Sequence, residues 1–338
     1  MSQASSDLSP AHFFDTVNAY QRTAALKSAI ELDIFTAIAE GNVTASAIAA
    51  RCQTAERGAR ILGDYLTIGG FLTKEGSEYA LTPDTAAFLD RKSPMYTGGA
   101  LEFLLTPTLT EGFANLTTAV RKGGTALPDQ GSVTPDNPVW VKFAQAMVPL
   151  MALPAQMIAS QIETDPNREV KVLDIAAGHG IFGIAFAQRN PRVQVVALDW
   201  PNVLAVAEGN AQAAGVGSQY SKLPGNAFEV ELGTGYDVVL LTNFLHHFDP
   251  PTNEALLKRV HAALADGGRA VTLEFIPNED RVSPPGAAAF SIVMLASTPS
   301  GDAYTPSDLE AMFKNAGFAR SEVRGLPPTL GSIVISYK

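Results

Sequence analysis

From residue 169 to residue 338 the sequence alternates between segments typical of β-strands and segments typical of α-helices. The predicted strands are residues 169–175, 193–198, 220–223, 236–242, 269–275, 321–325 and 332–337. The predicted helices are residues 182–188, 203–214, 252–265 and 307–316. Such alternation predicts an α/β fold with a doubly wound, mostly parallel sheet and helices on both faces. The last two strands have no helix between them, so we expect them to pair as an antiparallel hairpin.

The N-terminal part has a different pattern, which predicts a small helical domain over residues 1–95. Apolar side chains recur every four residues from Leu26 to Ile38, which predicts one long amphipathic helix. Further helices are predicted at residues 44–51, at 54–68 and after Thr82-Pro83, with a hairpin within residues 71–81. Three helices and a hairpin are the layout of a winged helix. Residues 96–168 are then a helical connector, and residues 169–338 are the α/β domain.

Charge and composition exclude several classes of protein. The chain has 24 Lys and Arg against 34 Asp and Glu, a net charge of −10, which argues against a nucleic-acid partner. Residues 1–95 alone carry 8 basic and 11 acidic residues, so the winged helix is not expected to bind DNA. The single cysteine, Cys52, leaves no internal disulfide and no cysteine-based zinc cluster. Residues 1–10 lack the pattern of a secretory signal, and no apolar run reaches membrane-spanning length; we therefore expect a cytoplasmic protein.

The strongest functional signal is the segment from Val172 to Gly180, in which a buried strand runs into a loop of Ala and Gly. Small residues let a ligand approach the backbone at the carboxyl end of a strand. Asp199 ends the next strand, placed to accept hydrogen bonds from two ribose hydroxyls. Asp174 precedes the loop, where a carboxylate would repel a pyrophosphate and suits an ammonium group. The pattern favours S-adenosylmethionine over a dinucleotide, although amides of the loop could equally satisfy Asp174.

At these positions the chain resembles the plant- and bacterial-type O-methyltransferases typified by caffeic acid and acetylserotonin O-methyltransferases. The resemblance covers about residues 12–338 and includes the segment 26–35, which is similar to the family's dimerisation helix. It implies a class I methyltransferase sheet, an N-terminal winged-helix-like domain that forms a homodimer, and S-adenosylmethionine as methyl donor, with no metal. The family's residues at the cofactor correspond to a set of nine positions. These are Asp174, Ala176, Gly178, Gly180, Asp199, Trp200, Asn226, Ala227 and Asn243.

The resemblance also implies a general base. After the fourth strand of this domain come His246 and His247, and Glu274 ends the fifth. A histidine within reach of a phenol can take its proton as the oxygen attacks the methyl group, and by the resemblance this is His246, oriented by Glu274. The alternatives are that both histidines only flank the following helix, and that Glu274 pairs with Arg269 or Arg281. His247 occupies a position where plant members have Asp.

One departure from the family pattern concerns a second supporting glutamate, whose position aligns with Ala303. Either Asp302 substitutes for it, or His246 works with Glu274 alone, or base catalysis is weaker. The acceptor pocket is expected to be apolar and to hold a small aromatic molecule. Its expected residues are Phe143, Met147, His247, Phe290 and Met294.

Three other functions are compatible with parts of the sequence. A hydroxylase or decarboxylase-like relative would use the same fold and cofactor without methyl transfer. The absence of the second glutamate slightly favours this alternative, whereas the presence of His246 and Glu274 argues against it. A relative that methylates carbon or nitrogen is nearer still. A winged-helix regulator that senses a small ligand is disfavoured by the acidic N-terminal part. The sequence does not identify the acceptor.

Overall fold

The computed structural model describes residues 8–338, which divide into two compact units between Leu101 and Glu102. The expectation about a secretory signal rests in part on residues 1–7, which lie outside the described residues. No single helix within residues 8–338 has the length and composition to cross a membrane. The helices Val139–Ala146 and Val148–Gln161 meet those criteria only when they are joined across a 69° bend.

The first unit has the predicted layout of a winged helix. Its elements are α1 (Ala11–Val17), α2 (Ala19–Glu31), α3 (Ile34–Ala39), α4 (Ala45–Cys52), α5 (Glu56–Ile68), β1 (Leu72–Glu75), β2 (Glu78–Leu81) and α6 (Pro83–Phe88). The strands β1 and β2 pair as an antiparallel hairpin. Thr82 caps α6 with its side chain and Pro83 opens that helix, as the sequence indicates.

The prediction of one long helix through Ile38 is wrong, because the chain bends at Asp33. The helix α2 ends at Glu31, and α3 begins at Ile34 after Asp33 adopts a left-handed conformation with φ of 61°. Aspartate tolerates that conformation better than most residues. The Asp33 carboxylate also pairs with Arg51 at 3.0 Å and with Arg91 at 3.2 Å. The apolar period continues across the bend because residues of both helices are buried in the same core.

The second unit contains the predicted sheet. Its strands are β3 (Val170–Ile175), β4 (Val193–Asp199), β5 (Tyr220–Pro224), β6 (Tyr236–Thr242), β7 (Leu264–Glu274), β8 (Arg320–Gly325) and β9 (Ser332–Tyr337). Their spatial order is β5-β4-β3-β6-β7-β9-β8. The first five strands of that order are parallel, and β9 is antiparallel to both of its neighbours, which confirms the predicted hairpin. The strand β7 begins five residues before its predicted start.

The helices of this unit pack on the sheet or precede its first strand in the chain. They are α7 (Leu101–Leu104), α8 (Pro107–Ala114), α9 (Leu116–Lys122), α10 (Val139–Ala146), α11 (Val148–Gln161), α12 (Ile181–Arg189), α13 (Pro201–Ala213), α14 (Pro250–Ala263), α15 (Pro285–Ala288), α16 (Phe290–Ser297) and α17 (Pro306–Asn315). A short 3-10 helix, Leu245–His247, follows β6.

The central strands of this sheet are almost wholly enclosed, because helices pack on both of its faces. Along β3, every residue except Lys171 is buried, and along β6 only Asp237 is partly exposed. The carboxyl ends of β3, β4, β6 and β7 lie at one edge of the sheet, since these four strands are parallel. That edge is where a parallel sheet of this type binds ligands.

Candidate active site

A cavity of about 530 Å³ opens at this edge, and all of its lining residues belong to the second unit. Most of the expected site residues line it. These are Phe143, Met147, Ala176, Gly178, Asp199, Trp200, Asn226, Ala227, Asn243, His246, His247, Phe290 and Met294. The expected site residues Asp174, Gly180 and Glu274 do not line the cavity. Gly180 donates its amide hydrogen to the Ala177 carbonyl oxygen within the loop after β3. Asp174 accepts from the Gly183 amide in α12, and Glu274 accepts from amides that follow β6.

The loop after β3 turns sharply because three of its residues adopt positive φ. The values are 55° for Ala176, 56° for Gly178 and 74° for Gly180. A side chain at Gly180 would meet the Tyr220 hydroxyl at 2.6 Å, so this position requires glycine. Ala176 adopts the same conformation with a side chain, at a cost of about 1 kcal/mol. Backbone geometry therefore favours glycine over alanine at position 176.

Asp199 ties this loop to the end of β4. Its Oδ2 accepts a hydrogen bond from the Gly178 amide at 2.8 Å, and its Oδ1 accepts one from the Trp200 amide at 2.7 Å. Burial raises the pKa of Asp199 to about 6, although both amide hydrogen bonds oppose that shift. Each oxygen retains a lone pair, so the carboxylate can also accept hydrogen bonds from hydroxyl groups in the cavity.

Asp174 lies below the loop and is fully enclosed. Its Oδ2 accepts a hydrogen bond from the Gly183 amide in the first turn of α12 at 3.1 Å, while its Oδ1 has no partner. Burial raises the pKa of Asp174 to about 7. The alternative in which loop amides satisfy this carboxylate is therefore met only in part, because a helix amide bonds one oxygen and the other has no protein partner.

The segment after β5 forms another wall of the cavity. The Asn226 side chain accepts a hydrogen bond from the Phe228 amide at 3.0 Å and donates one to Glu229 at 3.0 Å. Arg259 on α14 donates to the carbonyl oxygens of Ala227 and Val230 and so holds the segment from behind. Sequence reasoning missed Arg259, because nothing in the local pattern of an amphipathic helix distinguishes an arginine that binds a distant loop.

His246 and Glu274 form a buried pair beside the cavity. The exposed fraction is 4% for His246 and 3% for Glu274, and Nδ1 of the histidine is hydrogen-bonded to Oε2 of the glutamate. The other carboxylate oxygen, Oε1, accepts from the amides of Leu245 at 2.8 Å and Phe244 at 3.1 Å. Glu274 therefore fixes both the imidazole and the backbone that carries it. This arrangement leaves Nε2 of His246 as the nitrogen without a protein partner.

Arg269 and Arg281, the alternative partners of Glu274, both bind other groups. Arg269 donates to the carbonyl oxygen of Glu163, and Arg281 pairs with Asp308 at 2.6 Å and Asp302 at 3.4 Å, so neither arginine pairs with Glu274. The Asp302 carboxylate also accepts from the Ala303 amide at 2.8 Å. Asp302 thus lies in a partly exposed ion pair and does not line the cavity.

Aromatic rings form most of the cavity wall on the histidine side. The His246 ring lies 4.8 Å from that of Phe290, which stacks on Phe275 at 4.2 Å. The His247 ring lies 5.1 Å from that of Trp140. Several of these aromatic residues were absent from the sequence prediction, since a Phe or Trp at helical spacing is more often a core residue. The additional aromatic lining residues are Phe103, Trp140, Phe228, Phe244, Phe248 and Phe275.

His179, the histidine of the loop after β3, has a local role. Its Nδ1 accepts a hydrogen bond from the Ile181 amide at 3.3 Å, as expected for a residue that caps the loop. Burial lowers the pKa of His179 to about 4, which keeps the ring neutral. Within residues 8–338 no group of three or more His, Cys, Asp or Glu side chains is placed to hold a metal ion.

The lining residues fit an adenosine with an amino-acid end. Asp199 offers a carboxylate to hydroxyl groups, Trp200 and Ala227 offer apolar surface to a base, and Gly178 lets a ligand approach the backbone closely. An additional side-chain carbon at Gly178 would lie 3.3 Å from the Phe143 ring, which shows how tightly the loop packs there. Among the described residues that line the cavity there is no lysine or arginine to bind a pyrophosphate.

Comparison with protein families finds two matches. The model of an O-methyltransferase domain matches residues 119–319, more than half of the chain, and that of an O-methyltransferase dimerisation domain matches residues 14–91. A similar curated protein is the 3-hydroxy-5-methyl-1-naphthoate 3-O-methyltransferase of Streptomyces sahachiroi. It is 28% identical over 97% of this chain and 95% of its own length.

Two solved structures illustrate the structural likeness. A candidate O-methyltransferase from Nostoc punctiforme is 54% identical, with a TM-score of 0.95 over 98% of this chain and 100% of its own. Human N-acetylserotonin methyltransferase, solved in complex with S-adenosylmethionine, is 21% identical. Its TM-score is 0.83, over 99% of both chains.

The enclosed Asp174 carboxylate predicts a dependence of stability on pH. Because its pKa is raised from 3.8 to about 7, its contribution to stability is full below pH 4 and is lost as the pH rises through 7. Asp174→Asn cannot ionise. The free energy of unfolding of the variant minus that of the wild type should therefore increase from pH 4 to pH 8. The increase should be on the order of 4 kcal/mol. Urea unfolding of the ligand-free protein measures the difference.

Asp237 supplies a control of opposite sign. Burial alone would raise its pKa, but hydrogen bonds from Arg168 at 2.6 Å and the Lys171 amide at 2.9 Å lower the pKa overall. Asp237→Asn should lose stability relative to the wild type above pH 4, and the loss should shrink in acid. A difference for Asp174→Asn that stays constant from pH 4 to pH 8 would contradict the account of this carboxylate.

Proposed function

This chain belongs to the family of S-adenosylmethionine-dependent O-methyltransferases, and we propose that it methylates a hydroxyl group of a small aromatic acceptor with His246 as the general base. The observation that carries the proposal is the buried His246–Glu274 pair at the wall of an aromatic cavity. The similarity to an enzyme named for methylating a hydroxynaphthoate supports an aromatic acceptor.

His246 is suited to remove a proton because Glu274 fixes its tautomer. The carboxylate accepts the hydrogen on Nδ1, so Nε2 carries the lone pair. A phenol has a pKa of about 10 and is mostly protonated at neutral pH. Transfer of its proton to Nε2 makes the oxygen a better nucleophile and leaves an imidazolium beside the Glu274 carboxylate. General-base catalysis of this kind contributes a factor of about 10² to 10⁴ in rate.

S-adenosylmethionine supplies an electrophilic methyl group on a sulfonium. We assign the ribose hydroxyls to Asp199, and the adenine to the walls formed by Trp200, Asn226 and Ala227. We assign the amino-acid end to the loop from Ala176 to Gly180 and to Asn243, which lines the cavity just after β6. Asp174 is enclosed and bonds the Gly183 amide in the first turn of α12, so we assign it an indirect role, that of positioning the helix that follows the loop.

The apolar walls orient the acceptor. Phe143 and Met147, on and just after α10, and Phe290 and Met294 on α16 line the cavity that contains His246. A planar ring held between such side chains presents its hydroxyl in a fixed direction, and holding the reacting atoms in line supplies much of the remaining rate enhancement. Since Asp302 is engaged elsewhere and Ala303 has no polar side chain, His246 works with Glu274 alone.

Substitution of the proposed base should separate chemistry from binding. We expect His246→Ala to lower kcat about 10²- to 10⁴-fold, while the affinity for S-adenosylhomocysteine changes by less than about threefold. Glu274→Gln should lower kcat by a smaller factor, because the amide keeps a hydrogen-bonding partner but cannot stabilise the imidazolium. Release of S-adenosylhomocysteine from a panel of naphthols and catechols measures kcat, and calorimetry measures the affinity.

His261 on α14 is the matched control, because its ring packs against Phe318 and does not line the cavity. His261→Ala should retain the wild-type kcat within about twofold. Full activity of His246→Ala would eliminate this histidine as the base. Tight binding of S-adenosylhomocysteine with no methylation of any hydroxylated aromatic would contradict the proposed reaction.

We also propose that the chain forms a homodimer through its dimerisation domain. The helix α1 buries none of its side chains in the unit, and large apolar or aromatic residues project from α1 and the start of α2. Phe13, Phe14, Val17 and Tyr20 are between 53% and 68% exposed. Clustered exposure of this kind is typical of a protein–protein interface.

Light scattering tests the dimer directly. The intact protein should have twice the 35.7 kDa mass of the chain. The double substitution Phe13→Ser and Phe14→Ser should shift it toward the monomer, since it removes apolar surface from the interface. Ile68→Ser is the control, because Ile68 is an exposed apolar residue, 83% accessible, at the end of α5. A wild-type mass equal to that of one chain would refute the proposal.

A further inference from the structure

The wall of the cavity carries no cation. Among the described residues that line it there is no Lys and no Arg, and its ionisable groups are Asp199, His246 and His247. Asp199 is an acid and is bonded to the Gly178 and Trp200 amides. An anionic group on the acceptor would therefore enter the cavity without an opposite charge on the protein, and a buried charge without a partner is strongly unfavourable.

Most polar side chains near the aromatic wall are already bonded to the protein. Ser132 donates to the carbonyl oxygen of Ser297 at 3.1 Å, and Ser297 donates to that of Val293 at 2.7 Å. His246 is bonded to Glu274. His247 differs from these residues: it is 92% buried, it lines the cavity, and neither of its ring nitrogens has a hydrogen-bond partner in the described part of the protein. Its Nδ1 is enclosed, so Nε2 is the nitrogen available to a ligand in the cavity.

The position of His247 limits what it can bind. Its ring centroid lies 4.3 Å from that of His246, and the other side of the ring packs near Trp140 at 5.1 Å. Because the His246 and His247 rings are this close, they can bind neighbouring substituents of one aromatic acceptor. Two causes lower the pKa of His247 well below its usual value: burial, which is the larger, and the neighbouring His246 ring. The His247 ring is therefore neutral. A neutral imidazole offers one donor and one acceptor but no charge.

We propose that the acceptor is an uncharged phenol, and that His247 binds a second, uncharged polar substituent next to the hydroxyl that is methylated. This inference rests on the proposed function, in which His246 receives the proton of the first hydroxyl. His247 is then a specificity-determining residue: it favours a vicinal hydroxyl or carbonyl and leaves a carboxylate unpaired. The chain would thus discriminate against the naphthoate type of acceptor for which its Streptomyces sahachiroi relative is named.

Three related probes test the inference by calorimetry on the complex with S-adenosylhomocysteine. They are 2-naphthol, 2,3-dihydroxynaphthalene and 3-hydroxy-2-naphthoate, which share a ring system and differ in the second substituent. The wild type should bind the diol about fivefold more tightly than the naphthol, the gain of one hydrogen bond. It should bind the naphthoate at least about 100-fold more weakly than the diol, because the carboxylate has no partner.

Substitutions of His247 assign the preference to this residue. His247→Phe should bring the diol and the naphthol within about twofold of each other, whereas His247→Gln, a neutral hydrogen-bonding side chain, should keep the diol preferred. His247→Lys should improve naphthoate binding relative to the diol by supplying a cation. Thermal unfolding of each variant checks that it is folded. If His247→Phe disrupts the packing against Trp140, the comparison of His247→Gln with His247→Lys still tests the preference.

The outcomes separate this inference from the proposed function. Equal wild-type affinity for the diol and the naphthoate, or an undiminished diol preference in His247→Phe, would overturn the role of His247. Release of S-adenosylhomocysteine is followed in parallel with S-adenosylmethionine and the same probes. If the predicted order of affinities holds and no hydroxylated aromatic is methylated, the proposed reaction fails while the role of His247 in binding the second substituent stands.

Discussion

The Glu274 carboxylate is the constraint on which the proposed catalytic site depends. It lies at the end of β7, almost fully buried, and binds the amides of Phe244 and Leu245 and the ring of His246. A buried carboxylate is costly unless such partners surround it. One acid thus joins two neighbouring strand ends, satisfies loop amides and bonds Nδ1 of a histidine. Its replacement would alter the position of the base together with its chemistry.

Asp199 serves the cofactor end in the same way. It ends β4 and binds the amide of Gly178 in the loop that follows the adjacent strand β3. Across the order β4-β3-β6-β7, acids at the two outer strand ends therefore hold the loops of the two inner strands. The sheet acts as a rigid support, and the cavity lies between two loops whose backbones are fixed by carboxylates. In the proposed reaction, this arrangement holds the methyl donor and His246 in fixed positions relative to each other.

Much of this could be predicted from the sequence, for definite reasons. Strands buried on both faces are continuous apolar runs, and functional residues in parallel sheets follow their carboxyl ends, so Asp199, His246 and Glu274 could be located from local patterns. The bend at Asp33 could not, because the apolar period continues through it. Neither could the contact of Arg259 with its distant loop. The aromatic wall was underestimated because helical spacing alone does not separate a cavity residue such as Trp140 from a core residue.

The most direct test is the tautomer of His246. Nitrogen NMR of protein labelled with ¹⁵N in histidine, recorded at pH 8 and assigned with a His246→Gln variant, distinguishes a protonated Nδ1 from a protonated Nε2. The account predicts that Nδ1 carries the hydrogen, bonded to Glu274, and that Nε2 is unprotonated. A hydrogen on Nε2, or the averaged signals of a freely exchanging imidazole, would contradict it.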